Sequence, residues 1–163
     1  MINIITGSID SGKTTNFIEL VKIIGSGDGF ISRKVYIDDC YIGQEIIQLS
    51  TGKGKLWSVI GKKPDEWNEA FNYYNYSFSK EGLDFAESII VSILQSTKQP
   101  IFIDEIGPLE LEEKGFHRLF SWCLNSEKEM YVVIREGCIK DVINKYNIKS
   151  YTIRRIIDGQ TYL

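Results

Sequence analysis

The sequence predicts an α/β fold, a mainly parallel sheet covered by helices on both faces in three layers, on three observations. A short apolar run at residues 2–5 leads through a glycine-rich turn into an amphipathic helical pattern. Later apolar runs, at 101–103 and 131–134, each pass into another such pattern. Strands that alternate with helices imply right-handed crossovers, and so parallel neighbours packed between helices. The third observation is residues 30–78, where no helical period holds and a β-rich insertion is expected.

The first helix is expected from Lys13, because Phe17, Leu20, Val21 and Ile24 fall at the i, i+3, i+4, i+7 spacing of one face. Gly25-Ser26-Gly27-Asp28-Gly29 should stop it, since glycine takes positive φ without steric cost. Within the insertion, Val35-Tyr36-Ile37, Tyr41-Ile42, 45–49 and 56–60 read as short strands between Asp, Gly and Lys turns. If 71–78 is extended, Tyr74, Tyr76 and Phe78 share one side, where they either pack a core or stack on a base. A second helix follows on Leu83, Ala86, Ile90, Ile93 and Leu94. Ile101-Phe102-Ile103 has no polar alternation, as suits a strand buried on both faces. Then come a helix on Phe116, Leu119, Phe120 and Cys123, the strand 131–134, a helix on Ile139, Val142, Ile143 and Tyr146, and extended chain from Tyr151. All 163 residues are expected to form one domain.

Composition narrows the function class. With 43% apolar and 25% charged residues the chain has an ordinary globular make-up. The start carries no basic signal region, and no apolar run approaches the ~20 residues of a spanning helix, so a cytoplasmic protein without a membrane anchor is expected. A net charge of −3 provides no field for a phosphate backbone and disfavours nucleic acid as a partner. Lys53, Lys55, Lys62 and Lys63 read as a solvated face or hairpin tip. Cys40, Cys123 and Cys138 form no close pair, which argues for free thiols in a reducing compartment and against a zinc site.

Chemistry enters at Gly7-Ser8-Ile9-Asp10-Ser11-Gly12-Lys13-Thr14, which matches G-x-x-x-x-G-K-[ST] between a strand and a helix. Backbone N–H groups of such a loop point at phosphate oxygens, and the helix start adds partial positive charge. Residues 7–15, ending with Thr15, are therefore the expected nucleotide-binding loop. Lys13 is placed to bridge the β- and γ-phosphates, and the Thr14 hydroxyl to ligate Mg²⁺. Asp10, a carboxylate beside a triphosphate, is expected to point outward.

Asp104-Glu105 ends the apolar strand. Neighbours on a strand point oppositely, so one acid, Asp104, is assigned to the Mg²⁺ shell and the other, Glu105, to orienting and deprotonating an attacking water. A positive group for the developing γ-phosphate charge is also needed. Arg135, just after the strand 131–134, is better placed for it than Arg33, Arg118, Arg154 or Arg155. His117 lies off the apolar stripe of its helix and reads as an exposed residue. Asn144-Lys145-Tyr146-Asn147 lacks the Asp of a guanine-reading loop.

Ile4-Ile5-Thr6-Gly7 before Gly12-Lys13-Thr14-Thr15, Gly29-Phe30-Ile31-Ser32, and Asp104-Glu105-Ile106-Gly107-Pro108-Leu109-Glu110-Leu111 together resemble the archaeal and bacterial nucleoside-triphosphatase family that has a vertebrate cancer-related member. The resemblance implies a RecA-like P-loop fold with a partly antiparallel sheet and Mg²⁺-dependent hydrolysis of ATP, GTP and other nucleoside triphosphates. It also assigns phosphate and Mg²⁺ binding to Lys13 and Thr14, the Walker B role to Asp104 and the base role to Glu105. The chain departs from the family's pattern at Ser8-Ile9-Asp10-Ser11 and at Arg33-Lys34, where an acid followed by Arg is expected. Two rival readings stay open. One is a P-loop kinase with the insertion as lid; the other is a nucleotide-gated module that acts through a protein partner or self-association.

Overall fold

The computed structural model describes residues 1–8, 10–157 and 160–162, the last three by backbone alone. Strands run in the order β1 (Ile2–Gly7), β2 (Asp28–Ile37), β3 (Cys40–Gln48), β4 (Gly54–Ile60), β5 (Glu69–Tyr73), β6 (Tyr76–Ser79), β7 (Ile101–Ile106), β8 (Met130–Ile134), β9 (Tyr151–Ile157) and β10 (Gln160–Tyr162). The helices are α1 (Lys13–Ile24), α2 (Lys80–Leu94), α3 (Pro108–Leu111), α4 (His117–Leu124) and α5 (Ile139–Lys145), with a 3₁₀ turn at Glu136–Cys138.

All ten strands join one sheet in the order β10-β9-β1-β8-β7-β2-β3-β4-β6-β5. From β9 to β2 the neighbours are parallel; from β2 to β5, and between β9 and β10, they are antiparallel. The strand β2 belongs to both regions, pairing Asp28 and Phe30 with Ile101 and Ile103 of β7 before continuing along β3.

Side-chain alternation divides the core between the two faces. Ile4, Ile101, Ile103, Val132 and Ile134 pack with α2, α4 and α5, while Ile5, Phe102 and Val133 pack with Phe17 of α1. The apolar residues of α1 lie as their spacing predicts, and the helix ends at Gly25 in a left-handed conformation. Helix α2 begins where the Ser79 hydroxyl accepts from the Gly82 N–H at 2.9 Å. It sits hard on β4: a Cβ at Gly82 would lie 2.2 Å from Trp57 Cβ.

Several elements differ from expectation. Asp28 and Gly29 do not extend the helix stop; they open β2, and Asp28 is buried. The short runs Val35-Tyr36-Ile37, Tyr41-Ile42 and 45–49 are parts of two long strands, because the β2–β3 ladder runs past the polar residues that looked like turns. Tyr74 does not line up with Tyr76 and Phe78: it sits in the β5–β6 turn at φ 51° and is 90% exposed, since that hairpin reverses within the aromatic stretch. Helix α3 and the 3₁₀ turn were not anticipated. The free thiols agree with the sequence, Cys40 exposed and Cys123 and Cys138 buried. Lys53, Lys55, Lys62 and Lys63 are exposed, and Lys63 pairs with Glu69 at 2.8 Å. Among the described residues no helix is long and apolar enough to cross a membrane. Of the expected terminal extended chain, 158–159 and 163 lie outside the described residues.

Candidate active site

A cleft of about 1510 Å³ opens where β1, β7 and β8 end, beside the start of α1. Gly7, Ser8, Asp10, Gly12, Lys13, Thr14 and Thr15 reach it from the loop after β1. Ile9 lies outside the described residues. Gly12 enters α1 at φ 84°, a left-handed conformation that a side chain would strain, and so turns the following N–H groups toward the cleft. Lys13 reaches back to donate through Nζ to the Ser8 carbonyl, which places its ammonium across the mouth of the loop. Asp10 does not turn away from the site as expected: its exposed side chain lies at the cleft, with Lys34 Nζ 3.3 Å away.

The Thr14 hydroxyl donates to Asp104 Oδ2 at 3.2 Å, which brings the end of α1's first turn onto the end of β7. The Ser32 N–H donates to the same oxygen at 3.2 Å. Asp104 is 2% exposed, and burial, reinforced by the neighbouring Glu105 charge, pushes its carboxyl up to about 7. The Ser32 and Thr14 donors and the Lys13 ammonium pull in the opposite direction. A divalent cation would reinforce that pull.

Glu105 does not simply alternate with Asp104. Its φ is 71°, and the β7–β8 register shifts between Ile103 and Ile106. This break in the ladder turns both carboxylates into the same cleft. The guanidinium of Arg135 donates to Glu105 Oε1 at 3.3 Å, so the arginine and the acid meet at the site from adjacent strands. Of the other arginines, Arg33 also lines the cleft but pairs with Glu45, while Arg118 and Arg155, which do not line it, pair with Glu87 and Glu136.

The oxygen-rich pair Thr14 and Asp104 fits a hard cation such as Mg²⁺, which takes one or two protein ligands and the rest from water and phosphate. Ser32 lines the cleft, and its Oγ is buried without a hydrogen-bond partner among the described residues, which also suits a ligand rich in oxygen.

Sequence reasoning gave no role to Ser32, Lys34 or Glu110. Glu110, 2% exposed, accepts the Gly107 N–H through Oε2 and the Phe116 N–H through Oε1, both at 2.8 Å. It thereby fixes the bend that follows Glu105. Burial pushes this carboxyl up to about 7 against the pull of the two N–H donors. Its signal was visible in Gly107-Pro108-Leu109-Glu110, with Pro at the first helical position and Glu reaching back to the cap. His117 is not a free surface residue: its Nδ1 lies 2.8 Å from the Tyr146 hydroxyl, which donates to the Glu110 carbonyl at 3.1 Å. That contact joins α4 to the end of α5, a tertiary pairing its position beside the apolar stripe could not show.

Comparison with known proteins identifies the family and the fold. The chain is 26% identical over 133 residues to nucleoside-triphosphatase THEP1 of Archaeoglobus fulgidus, covering 79% of this chain and 74% of that one. It is 29% identical over 137 residues to nucleoside-triphosphatase THEP1 of Thermotoga sp., covering 82% and 74%. The fold matches the crystal structure of THEP1 from Aquifex aeolicus with a TM-score of 0.72 at 22% identity, over 96% of this chain and 90% of that one. It also matches the solution structure of a human cancer-related nucleoside triphosphatase with a TM-score of 0.65 at 18% identity, over 94% and 87%. The family model described as NTPase matches residues 3–157, nearly the whole chain. On that match the chain belongs to the NTPase family.

Proposed function

We propose that the chain is a Mg²⁺-dependent nucleoside-triphosphatase of low base selectivity, working in a reducing, cytoplasmic compartment as one P-loop domain. The observation that carries this reading is the Thr14–Asp104 contact at 3.2 Å, with Lys13 on one side and Glu105 on the other. The loop after β1 binds the phosphates through its N–H groups, and Lys13 neutralises the β- and γ-phosphates. Thr14 and Asp104 would hold Mg²⁺, which would supply charge neutralisation for the phosphates. Glu105 orients a water against the γ-phosphorus and takes its proton as the P–O bond to the diphosphate breaks. Arg135, held at Glu105, offers a positive charge to the γ-phosphate oxygens from within the same chain. Low base selectivity is supported by residues 144–147, which depart from a guanine-reading loop, and by the relatives' name, which specifies no base.

Phosphate release from ATP, GTP and CTP, with and without Mg²⁺, tests the assignment. The native chain should turn over all three. Glu105→Gln should bind nucleotide and slow by about 10²–10⁴-fold, and Lys13→Ala should fail to bind. Native-like release by Glu105→Gln would remove Glu105 from the base role.

A further inference from the structure

The cleft is larger than one nucleotide needs. Pockets for a single small ligand run ~300–1,000 Å³, against about 1510 Å³ here. The surplus lies toward β2 to β6, and its wall is aromatic: Tyr36, Tyr41, Tyr73, Tyr74 and Tyr76 line it, five of the nine tyrosines in the chain. Successive rings are neighbours, with Tyr36 and Tyr41 centroids 5.7 Å apart and Tyr41 and Tyr76 6.4 Å apart. The Tyr41 and Tyr76 hydroxyls lie 3.2 Å apart. Tyr73 and Tyr76 pack in part against the core, whereas Tyr36 and Tyr74 are 54% and 90% exposed and leave their rings open to the cleft.

Its position relative to the phosphates is set by the sheet order. Asp104 and Glu105 end β7, and β2, β3, β4, β6 and β5 follow on the side away from β1 and its phosphate loop. A triphosphate with its γ-phosphate at Asp104 leaves this side empty. Arg33 stands there, paired with Glu45, and Lys34 reaches from there to Asp10 of the loop after β1. Both cations are exposed, and such surface ion pairs are weak enough to exchange for a phosphate group, while flat phenol rings suit a nucleobase, which stacks through its π-face.

We propose that the tyrosine wall is a second binding site, for a nucleoside monophosphate, with its base against the Tyr36, Tyr41 and Tyr76 rings and its phosphate toward Arg33 and Lys34. It rests on the hydrolase reading only in placing the γ-phosphate beside Asp104.

Titration calorimetry with AMP, GMP, CMP and UMP tests it, on the full chain carrying Lys13→Ala and on the native chain saturated with a non-hydrolysable triphosphate and Mg²⁺. At least one monophosphate should bind both forms with one-to-one stoichiometry. The exposed double variant Tyr36→Ala/Tyr74→Ala, which leaves the core intact, should weaken that binding at least tenfold. Tenfold corresponds to about 1.4 kcal/mol, within the ~1–3 kcal/mol of one base stacked on an aromatic ring. No binding tighter than about 1 mM overturns the proposal, as does binding indifferent to the tyrosine variant. Binding lost in Lys13→Ala overturns it too, because the monophosphate is then on the phosphate loop. So does a dimer abolished by Tyr36→Ala/Tyr74→Ala, which makes a second copy the occupant of the wall. Phosphate release by the native chain, measured in parallel, tests the hydrolase reading separately, so either can fail alone.

Discussion

Glu105 occupies a left-handed backbone conformation at φ 71°, which a residue with a Cβ holds only at a cost of about 1–3 kcal/mol. Glycine adopts it freely. Glu105→Gly should therefore match or exceed the native thermal midpoint while losing phosphate release, and a clearly lower midpoint would show that the site stores no strain there. Arg135 is bound to the same carboxylate. Replacing it by alanine should lower kcat by about 10³-fold or more with little change in KM. An effect confined to KM would make it a binding residue instead. The carboxylate of Glu110 acts one step back. Glu110→Ala leaves the buried Gly107 and Phe116 N–H groups without an acceptor, at about 1–3 kcal/mol for each. Denaturant unfolding reads that loss directly, and a change within experimental error would show that water replaces the carboxylate.

At the scale of elements, β2 is anchored by Asp28. Burial alone would raise this carboxyl, but donors from Ser50, Gly29 and Gln48 overcome it and hold it below its usual 3.8. A depressed folded value means stability that is present above the ordinary value and lost as pH falls through the folded one. The native chain should thus exceed Asp28→Asn in unfolding free energy at neutral pH, with the gap closing below about pH 4. A gap constant from pH 7 to pH 3 would show that the charge is not what matters. The seat of α2 on β4 is equally specific. Gly82→Ala drives a methyl into Trp57, and a loss of about 1–3 kcal/mol in unfolding free energy, read by urea denaturation, is expected.

Over the whole molecule, legibility followed how local each constraint is. The loop between β1 and α1 and the Asp104-Glu105 strand end were readable because a G-x-x-x-x-G-K-[ST] pattern and a short apolar run each mark their place beside a strand. Helix α1 was readable because Phe17, Leu20, Val21 and Ile24 recur at helical spacing and pack on one side. The φ of Glu105 was not, because the bulge arises from β7's pairing with β8, whose residues are some thirty positions away. Nor was the course of β2, whose residues join a parallel and an antiparallel partner at once. Asp28 read as turn punctuation because its partners, Gln48 and Ser50, arrive only when β3 has returned. The tyrosine wall draws on four strands and a turn, so only a fragment of it appeared as an aromatic cluster in one segment.

The place of β1 has a consequence for synthesis. Although first in the chain, β1 lies between β8 and β9, pairing Ile2 with Met130 and with Tyr151. Contacts so distant in sequence close late, whereas the β3–β4 ladder joins near neighbours and closes early. Pulse-labelled hydrogen exchange during refolding should protect β3 and β4 amides before those of β1. On the ribosome the loop after β1, made well before β8 and β9, must then wait for those strands to emerge before it has a shape.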